Sequence, residues 1–285
     1  RYRLDFIELE RLGKGGFGTV YKVKNRLDNR EYAVKKIYLL GDDTPLDKIL
    51  RESTSLARLE HPNIVRYYSS WVEGPQGQSA NRNCVRSTLT LHIQMQLCST
   101  NLAEFLKRRN ERLADRVLKL FKGIVEGVAY LHTHHMIHRD LKPSNIFLDV
   151  SRFACTPRIG DFGLVTTAEA AILEHHSQSA SRAGMLGGPT PMTSGVGTVT
   201  YAAPEQLDGI TAHYDTKADI FSLGIILFEL LYPFSTGMER VVILDNLRRG
   251  TLPERFVTLR PVEASFILWL MATQPEQRPT AEEIL

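Results

Sequence analysis

Hydrophobic and polar positions alternate with period two around residue 34: Tyr32, Val34 and Lys36 face one way, Ala33, Lys35 and Ile37 the other. That period predicts a strand. Val20-Tyr21-Lys22-Val23-Lys24, just before it, predicts another. Thr44-Pro45-Leu46-Asp47 has the chemistry of a helix start, an N-cap followed by Pro and an acid that closes the box, with Ile49, Leu56 and Leu59 on one face of the helix it opens. Glu52 lies on that same apolar stripe, where a carboxylate is costly unless a cation meets it. The pattern therefore asks for a basic partner, and Lys35 is the candidate. Gly74 to Asn83 is polar and turn-rich, which predicts an exposed loop between strands. Past Met95 the period changes. Val117, Phe121, Ile124, Val128 and Leu131 recur at helical spacing, and Phe221 to Leu231 is apolar nearly all round, as in a fully buried helix. Thr166 to Ser194 is rich in Ala, Ser, Gly, Thr and Pro with weak periodicity, which predicts a mobile loop. Internal repeats are not evident.

Strands first and helices afterwards imply an α+β chain. At 285 residues it is long enough for two lobes, each with its own core, packed across a cleft. The expected division is 1–98 and 99–285. Hydrophobic content of 43% and charged content of 24% are those of an ordinary globular protein. With 35 basic and 32 acidic residues, the net charge of +3 is too balanced for bulk electrostatics to imply a nucleic-acid partner. The longest apolar run, Phe221 to Leu231, is too short to span a bilayer, and Arg1-Tyr2-Arg3 lacks the apolar core of a signal peptide, so no membrane segment is expected. Three cysteines, Cys84, Cys98 and Cys155, are odd in number and widely spaced, which argues for a reducing, cytoplasmic setting. The lack of an initiator Met and the ending Glu283-Ile284-Leu285 suggest a domain taken from something larger, so the full-length protein could still be membrane-anchored.

Gly13-Lys14-Gly15-Gly16-Phe17-Gly18 lets backbone approach phosphate oxygens with no Cβ in the way. Alone it is a weak signal, and a dinucleotide fingerprint is the rival. That rival needs a helix directly after the glycines, whereas a strand follows here. His132, His134, His135 and His138 are dense but straddle a helix end and a loop rather than one ligand face, so zinc is not expected.

His138-Arg139-Asp140-Leu141-Lys142-Pro143-Ser144-Asn145, then Asp161-Phe162-Gly163, then Ala203-Pro204-Glu205, stand in the order of the catalytic loop, metal-binding triplet and substrate-loop anchor of eukaryotic protein kinases, which the chain resembles over essentially its whole length. The resemblance implies a bilobal fold, with an antiparallel sheet plus one helix in the N-lobe, a mainly helical C-lobe, and an activation segment over 161–205. It implies ATP and Mg2+. Asp140 would accept or orient the substrate hydroxyl's proton, Lys142 would stabilise the transferring phosphoryl, and Asn145 and Asp161 would hold magnesium. Lys35 would grip the phosphates with Glu52 holding it. Gly13, Gly15 and Gly18 would cover the phosphates, and Leu12, Val20, Ala33 and Phe147 would sandwich the adenine. Met95 would be the gatekeeper, and Gln96, Leu97 and Cys98 the hinge. Lys142 resembles the Ser/Thr-specific branch. Arg278 resembles the arginine that pairs with Glu205, and Asp219 the acid that braces the catalytic loop.

Within the family, Arg1-Tyr2-Arg3-Leu4-Asp5-Phe6, Asn63-Ile64-Val65-Arg66-Tyr67-Tyr68 and Leu91 to Cys98 resemble the kinases of the α subunit of translation initiation factor 2. Asp161 to Val165 and Leu227 to Arg240 resemble the endoplasmic-reticulum-resident and haem-regulated branches, without separating them. Ser53 and Ala202 depart from the family pattern and remove no catalytic group. The resemblance implies that factor as substrate, Thr193 and Thr198 as regulatory phosphorylation sites, and Arg1, Asp5 and Tyr67 as contacts of a back-to-back homodimer. It also implies substrate docking on the helix opened by Ser235-Thr236. A general Ser/Thr kinase and a pseudokinase scaffold are the alternatives.

Overall fold

A computed structural model describes residues 1–15, 18–39, 57–74, 89–108, 114–150, 155–162, 166–167, 199–207 and 215–285. The chain divides into two compact units, Arg1–Ser99 and Thr100–Leu285. Glu52 and most of the helix expected after Thr44, Gly163, Thr193, Thr198 and Cys84 lie outside the described residues.

The described residues of the first unit form a short helix α1 (Tyr2–Asp5) and five strands: β1 (Phe6–Gly15), β2 (Gly18–Asn25), β3 (Glu31–Leu39), β4 (Tyr67–Glu73) and β5 (Leu89–Met95). They form one antiparallel sheet in the order β1-β2-β3-β5-β4. The period-two reading of β3 sorts the sheet into two faces, because register partners project to the same side. Val34 pairs with Tyr21, and Lys36 with His92. Their face joins Val23, Val34, Tyr2 and Phe6 in one core, with Tyr21, Tyr32 and Trp71 against it. On the opposite face Leu39, Leu91 and Ile93 form a second core, flanked by Ile37, Tyr67 and Met95.

The second unit begins with β6 (Thr100–Asn101), α2 (Leu102–Lys107), the long α3 (Ala114–Thr133) and β7 (Met136–Ile137). A 3-10 turn over Pro143–Asn145 leads into β8 (Ile146–Val150) and β9 (Cys155–Ile159), and β10 (Thr166–Thr167) pairs with β7. The first two residues of the stretch read as a loop are thus in a ladder, too short to leave a periodic signal. α4 (Pro204–Leu207), α5 (Lys217–Leu231), α6 (Gly237–Arg248), α7 (Glu254–Leu259), α8 (Pro261–Leu270) and α9 (Ala281–Ile284) follow. Val117, Phe121, Ile124, Val128 and Leu131 of α3 are all buried, as their spacing requires. From Ala218 to Leu231 every residue of α5 is buried, so this helix is the axis of the unit. Among the described residues no helix is long and apolar enough to cross a membrane.

Candidate active site

In the first unit the glycine-rich run is the turn end of a hairpin. Gly15 opposes Gly18, and β2 continues as a strand, so the dinucleotide fingerprint is excluded. Gly18 has φ of +126°, and a Cβ there would stand 2.1 Å from the Lys36 carbonyl oxygen, so only glycine fits. At Gly13 an added Cβ would meet nothing within 4 Å, which leaves that backbone open to approach. Leu12 is the extra residue of a bulge between Arg11 and Gly13, and it is exposed. Lys35 opposes Val20 on one side and Ile93 on the other, and Ala33 opposes Met95. Val20, Ala33, Lys35 and Met95 therefore share one face. Gln96, just beyond, donates its backbone N–H to the Arg66 carbonyl at 2.8 Å, tying the start of Gln96-Leu97-Cys98 to the approach of β4.

In the second unit, the β8–β9 hairpin brings the backbone of Asn145 beside Gly160, the residue before Asp161. Ile146 opposes Ile159, so the residues flanking that rung emerge side by side, and the Gly160 N–H donates to the Asn145 carbonyl at 3.0 Å. Phe147 lies on β8 opposite Arg158 and Asn101. Asp140 sits just upstream. Lys142 Nζ lies 2.9 Å and 2.7 Å from its two carboxylate oxygens. Asn145 Nδ2 donates to the Asp140 carbonyl at 2.8 Å and to its Oδ2 at 3.0 Å. With its nitrogen committed to Asp140, the amide of Asn145 presents Oδ1 as an acceptor.

This loop is held from α5. Asp219 accepts from the His138 N–H at 2.9 Å, the Arg139 N–H at 2.9 Å and His132 Nε2 at 2.9 Å. Burial alone would raise the Asp219 carboxyl, but His132, then His138, outweigh it and hold the group below its ordinary value. His138 is fully buried, its Nδ1 accepting from the Asp140 N–H at 3.3 Å and its Nε2 donating to the Gly160 carbonyl at 3.0 Å. One ring thus bridges the loop of Asp140 and the approach to Asp161. Arg139 and Asp161 both adopt left-handed backbone, φ +68° and +58°, conformations that surrounding bonds must enforce. Arg278 is buried and makes a fork on Glu205, Nη1 to Oε1 at 2.6 Å and Nη2 to Oε2 at 2.9 Å.

The residues expected at a dimer contact lie at more than one place on the first unit. Arg1 caps the start of α1 and Asp5 ends it, their side chains 3.5 Å apart, with the Arg1 guanidinium over Trp71. Tyr67 packs on the opposite face of the sheet, against Leu39, Leu91 and Ile93. A bulge between Tyr67 and Ser69 turns the exposed Tyr68 instead toward Tyr32, edge to face at 5.3 Å, on the α1 side. Thr236 is the N-cap of α6, its hydroxyl accepting from the Glu239 N–H at 3.0 Å. The roles of His132, Gln206, Tyr201, Glu229, Arg240 and Arg248 leave no local pattern in the sequence, since their partners lie from 11 to 87 residues away.

A fold of this kind, with a glycine hairpin, a paired lysine strand and an acid–lysine–asparagine loop, defines a phosphotransferase domain. The model of the protein kinase domain matches residues 6–285, and the chain belongs to that family. It is 32% identical to eukaryotic translation initiation factor 2-alpha kinase 2 of Schizosaccharomyces pombe, over all of this chain and 65% of that protein. It is 38% identical to the eIF-2-alpha kinase GCN2 of Arabidopsis thaliana, over all of this chain and 25% of that protein. The interferon-induced, double-stranded RNA-activated protein kinase of Mus musculus is 36% identical, over all of this chain and 51% of its own length. The chain thus spans from a quarter to about two thirds of these relatives.

Proposed function

We propose that this protein kinase is an ATP- and Mg2+-dependent serine/threonine kinase that phosphorylates the α subunit of translation initiation factor 2, in the cytoplasm, to restrain translation under stress. The observation that carries the chemistry is the grip on Asp140. Its carboxylate is bonded by Lys142 and Asn145, and its loop is braced by Asp219, so it is aimed before a substrate arrives. Asp140 takes or orients the proton of the attacking hydroxyl. Lys142, beside it, stabilises charge on the moving phosphoryl and favours Ser/Thr acceptors. Lys35, held by Glu52, grips the α and β phosphates under Gly13, Gly15 and Gly18. Leu12, Val20, Ala33 and Phe147 take the adenine, with Met95 as gatekeeper and Gln96 to Cys98 as hinge.

The donor set suits a hard divalent cation: the Asn145 Oδ1 and the Asp161 carboxylate are oxygen ligands, on residues at the two ends of one hairpin. Magnesium bound there neutralises phosphate charge. All other steps fall to the residues named above.

The substrate reading is supported by relatives named as initiation-factor kinases, and by the outer face of α6. Met238, Val241 and Val242, at helical spacing, are 74%, 54% and 53% exposed, which is unusual for adjacent large apolar side chains. Thr236 supports docking as the cap that holds this helix. Phosphorylation of Thr193 and Thr198, with Arg139 as the cation for the Thr193 phosphate, and a back-to-back dimer through Arg1, Asp5 and Tyr67 complete the reading. Radiolabelled transfer from ATP to the purified factor tests it. Transfer to the factor at Ser or Thr is expected. Transfer only to basic peptides would favour a general kinase, and no transfer at all a nucleotide-binding scaffold.

A further inference from the structure

Helix α6 is fastened near both ends to the segment 199–207. Near its start, Arg240 Nε donates to Glu229 Oε1 at 2.6 Å and Nη2 to the Tyr201 hydroxyl at 2.6 Å, and that hydroxyl donates to Glu229 Oε2 at 2.5 Å. Near its end, Arg248 Nη1 reaches the carbonyls of Thr200 at 2.8 Å and Ala202 at 2.5 Å. Tyr201 and Glu229 are buried. Burial, then the negative charge of Glu229, lifts the Tyr201 hydroxyl well above its ordinary value, so it remains a donor. Burial opposes the charge on Arg240, but Tyr201 and Glu229 more than offset this.

The bonds continue inward. Ser222 Oγ donates to the Tyr201 carbonyl at 2.8 Å. The Ala203 N–H donates to Gln206 Oε1 at 2.8 Å, and Gln206 Nε2 donates to the Arg139 carbonyl at 3.1 Å. Arg139 adjoins Asp140, and its own N–H is held by Asp219. Leu244 and Leu247 already bury an apolar side of α6, so the polar bonds add direction to the anchoring. Arginine bonds to backbone carbonyls, a buried hydroxyl and one buried acid are directional, and weaken steeply when donor and acceptor shift.

We propose that Arg240, Arg248 and Gln206 are positioning residues that hold segment 199–207 and the Asp140 loop in fixed register with the helix on which the protein substrate docks. This rests on the reading of α6 as the docking element.

The test compares kcat and KM for the initiation factor and for a generic Ser/Thr peptide in Arg248→Met, Gln206→Met, the double variant and Arg248→Lys. Each Met variant should lower kcat on both substrates by about tenfold or more, because misplacement by about 1 Å is costly, while KM for ATP stays put. The double variant should lose no more than the worse single one, and Arg248→Lys should recover part of the loss. Losses that multiply in the double variant, a rise in KM for the factor alone, or unchanged kcat would overturn the proposal. If a Met variant melts early, Tyr201→Phe, which removes the two bonds of that hydroxyl, and Arg240→Lys, which replaces the planar guanidinium that makes two, give the same readout with the same criteria. An unmodified chain that phosphorylates the peptide but not the factor would refute the docking reading, while the peptide kcat series still decides the positioning role.

Discussion

Asp219 is 1% exposed, and three donors converge on its carboxylate. Because its folded value lies below the ordinary 3.8, its ionised form is favoured in the fold. The stability it supplies is present above 3.8 and lost as pH falls through the folded value. Asp219→Ala should therefore cost about 3–5 kcal/mol near pH 7, and denaturant titrations should show the gap to the unmodified chain closing in strong acid. An unchanged gap would remove the charge from the explanation. His92 has the opposite charge type. It is buried between Trp71, ring centres 5.2 Å apart, and Tyr2 at 4.9 Å, and its Nδ1 has no hydrogen-bond partner among the described residues. Burial lowers it below 6.5, more than nearby Glu73 raises it. Below pH 6.5 the unfolded chain takes up the proton first, so stability should fall as pH drops from 7 through 6.5. His92→Phe should flatten that slope in thermal melts, and an identical slope would refute it. At this scale a contiguous run is legible, as in His138 to Asn145, where the short spacing lets Lys142 and Asn145 bond Asp140. A residue that acts across the fold is not: His132 looked like one of several crowded histidines, yet it bonds Asp219, 87 positions on.

At the scale of elements, period carried the reading. β2, β3, α3 and α5 follow directly from alternation or helical spacing, because each buries a defined face. β7 and β10 are two residues each and carry no period at all. Bulges were equally silent, and the one between Tyr67 and Ser69 leaves Tyr68 out of the ladder register, packed edge to face on Tyr32. Glycine in a helix normally costs about 1 kcal/mol relative to Ala, so Gly224 in α5 looks improvable. Its added Cβ would stand 2.5 Å from Met271 Cγ and 3.2 Å from Leu270 Cβ. Gly224→Ala should destabilise by about 1–3 kcal/mol in chemical denaturation, with Met271→Ala in the same chain relieving part of it. A stabilised Gly224→Ala would contradict this packing. In the hairpin, Gly18→Ala should impair folding, whereas Gly13→Ala should leave the melting midpoint unchanged and raise KM for ATP. A normal KM in Gly13→Ala would argue against phosphate contact there.

At the scale of the whole molecule, a long-range pair ties the end of the second unit to its middle. Arg278 joins Glu205 across 73 residues and also donates to the carbonyls of Ala272, Lys217 and Thr273. Arg278→Ala would leave a part-buried carboxylate and several carbonyls without donors, at about 3–5 kcal/mol. Replacing both partners by apolar residues should cost less, and equal losses would show that packing rather than charge dominates. Fold class and family were legible because three motifs stand in fixed order along the chain, whereas the arginine network of α6 could be seen only once the helix lay against segment 199–207. The central claim is that Asp140 performs the chemistry in a loop fixed in advance. Single-turnover phosphoryl transfer by Asp140→Ala, with ATP affinity measured alongside, tests it most directly. Transfer should fall about 10²–10⁴-fold with ATP affinity intact; a rate within a few-fold of the unmodified kinase would contradict the account.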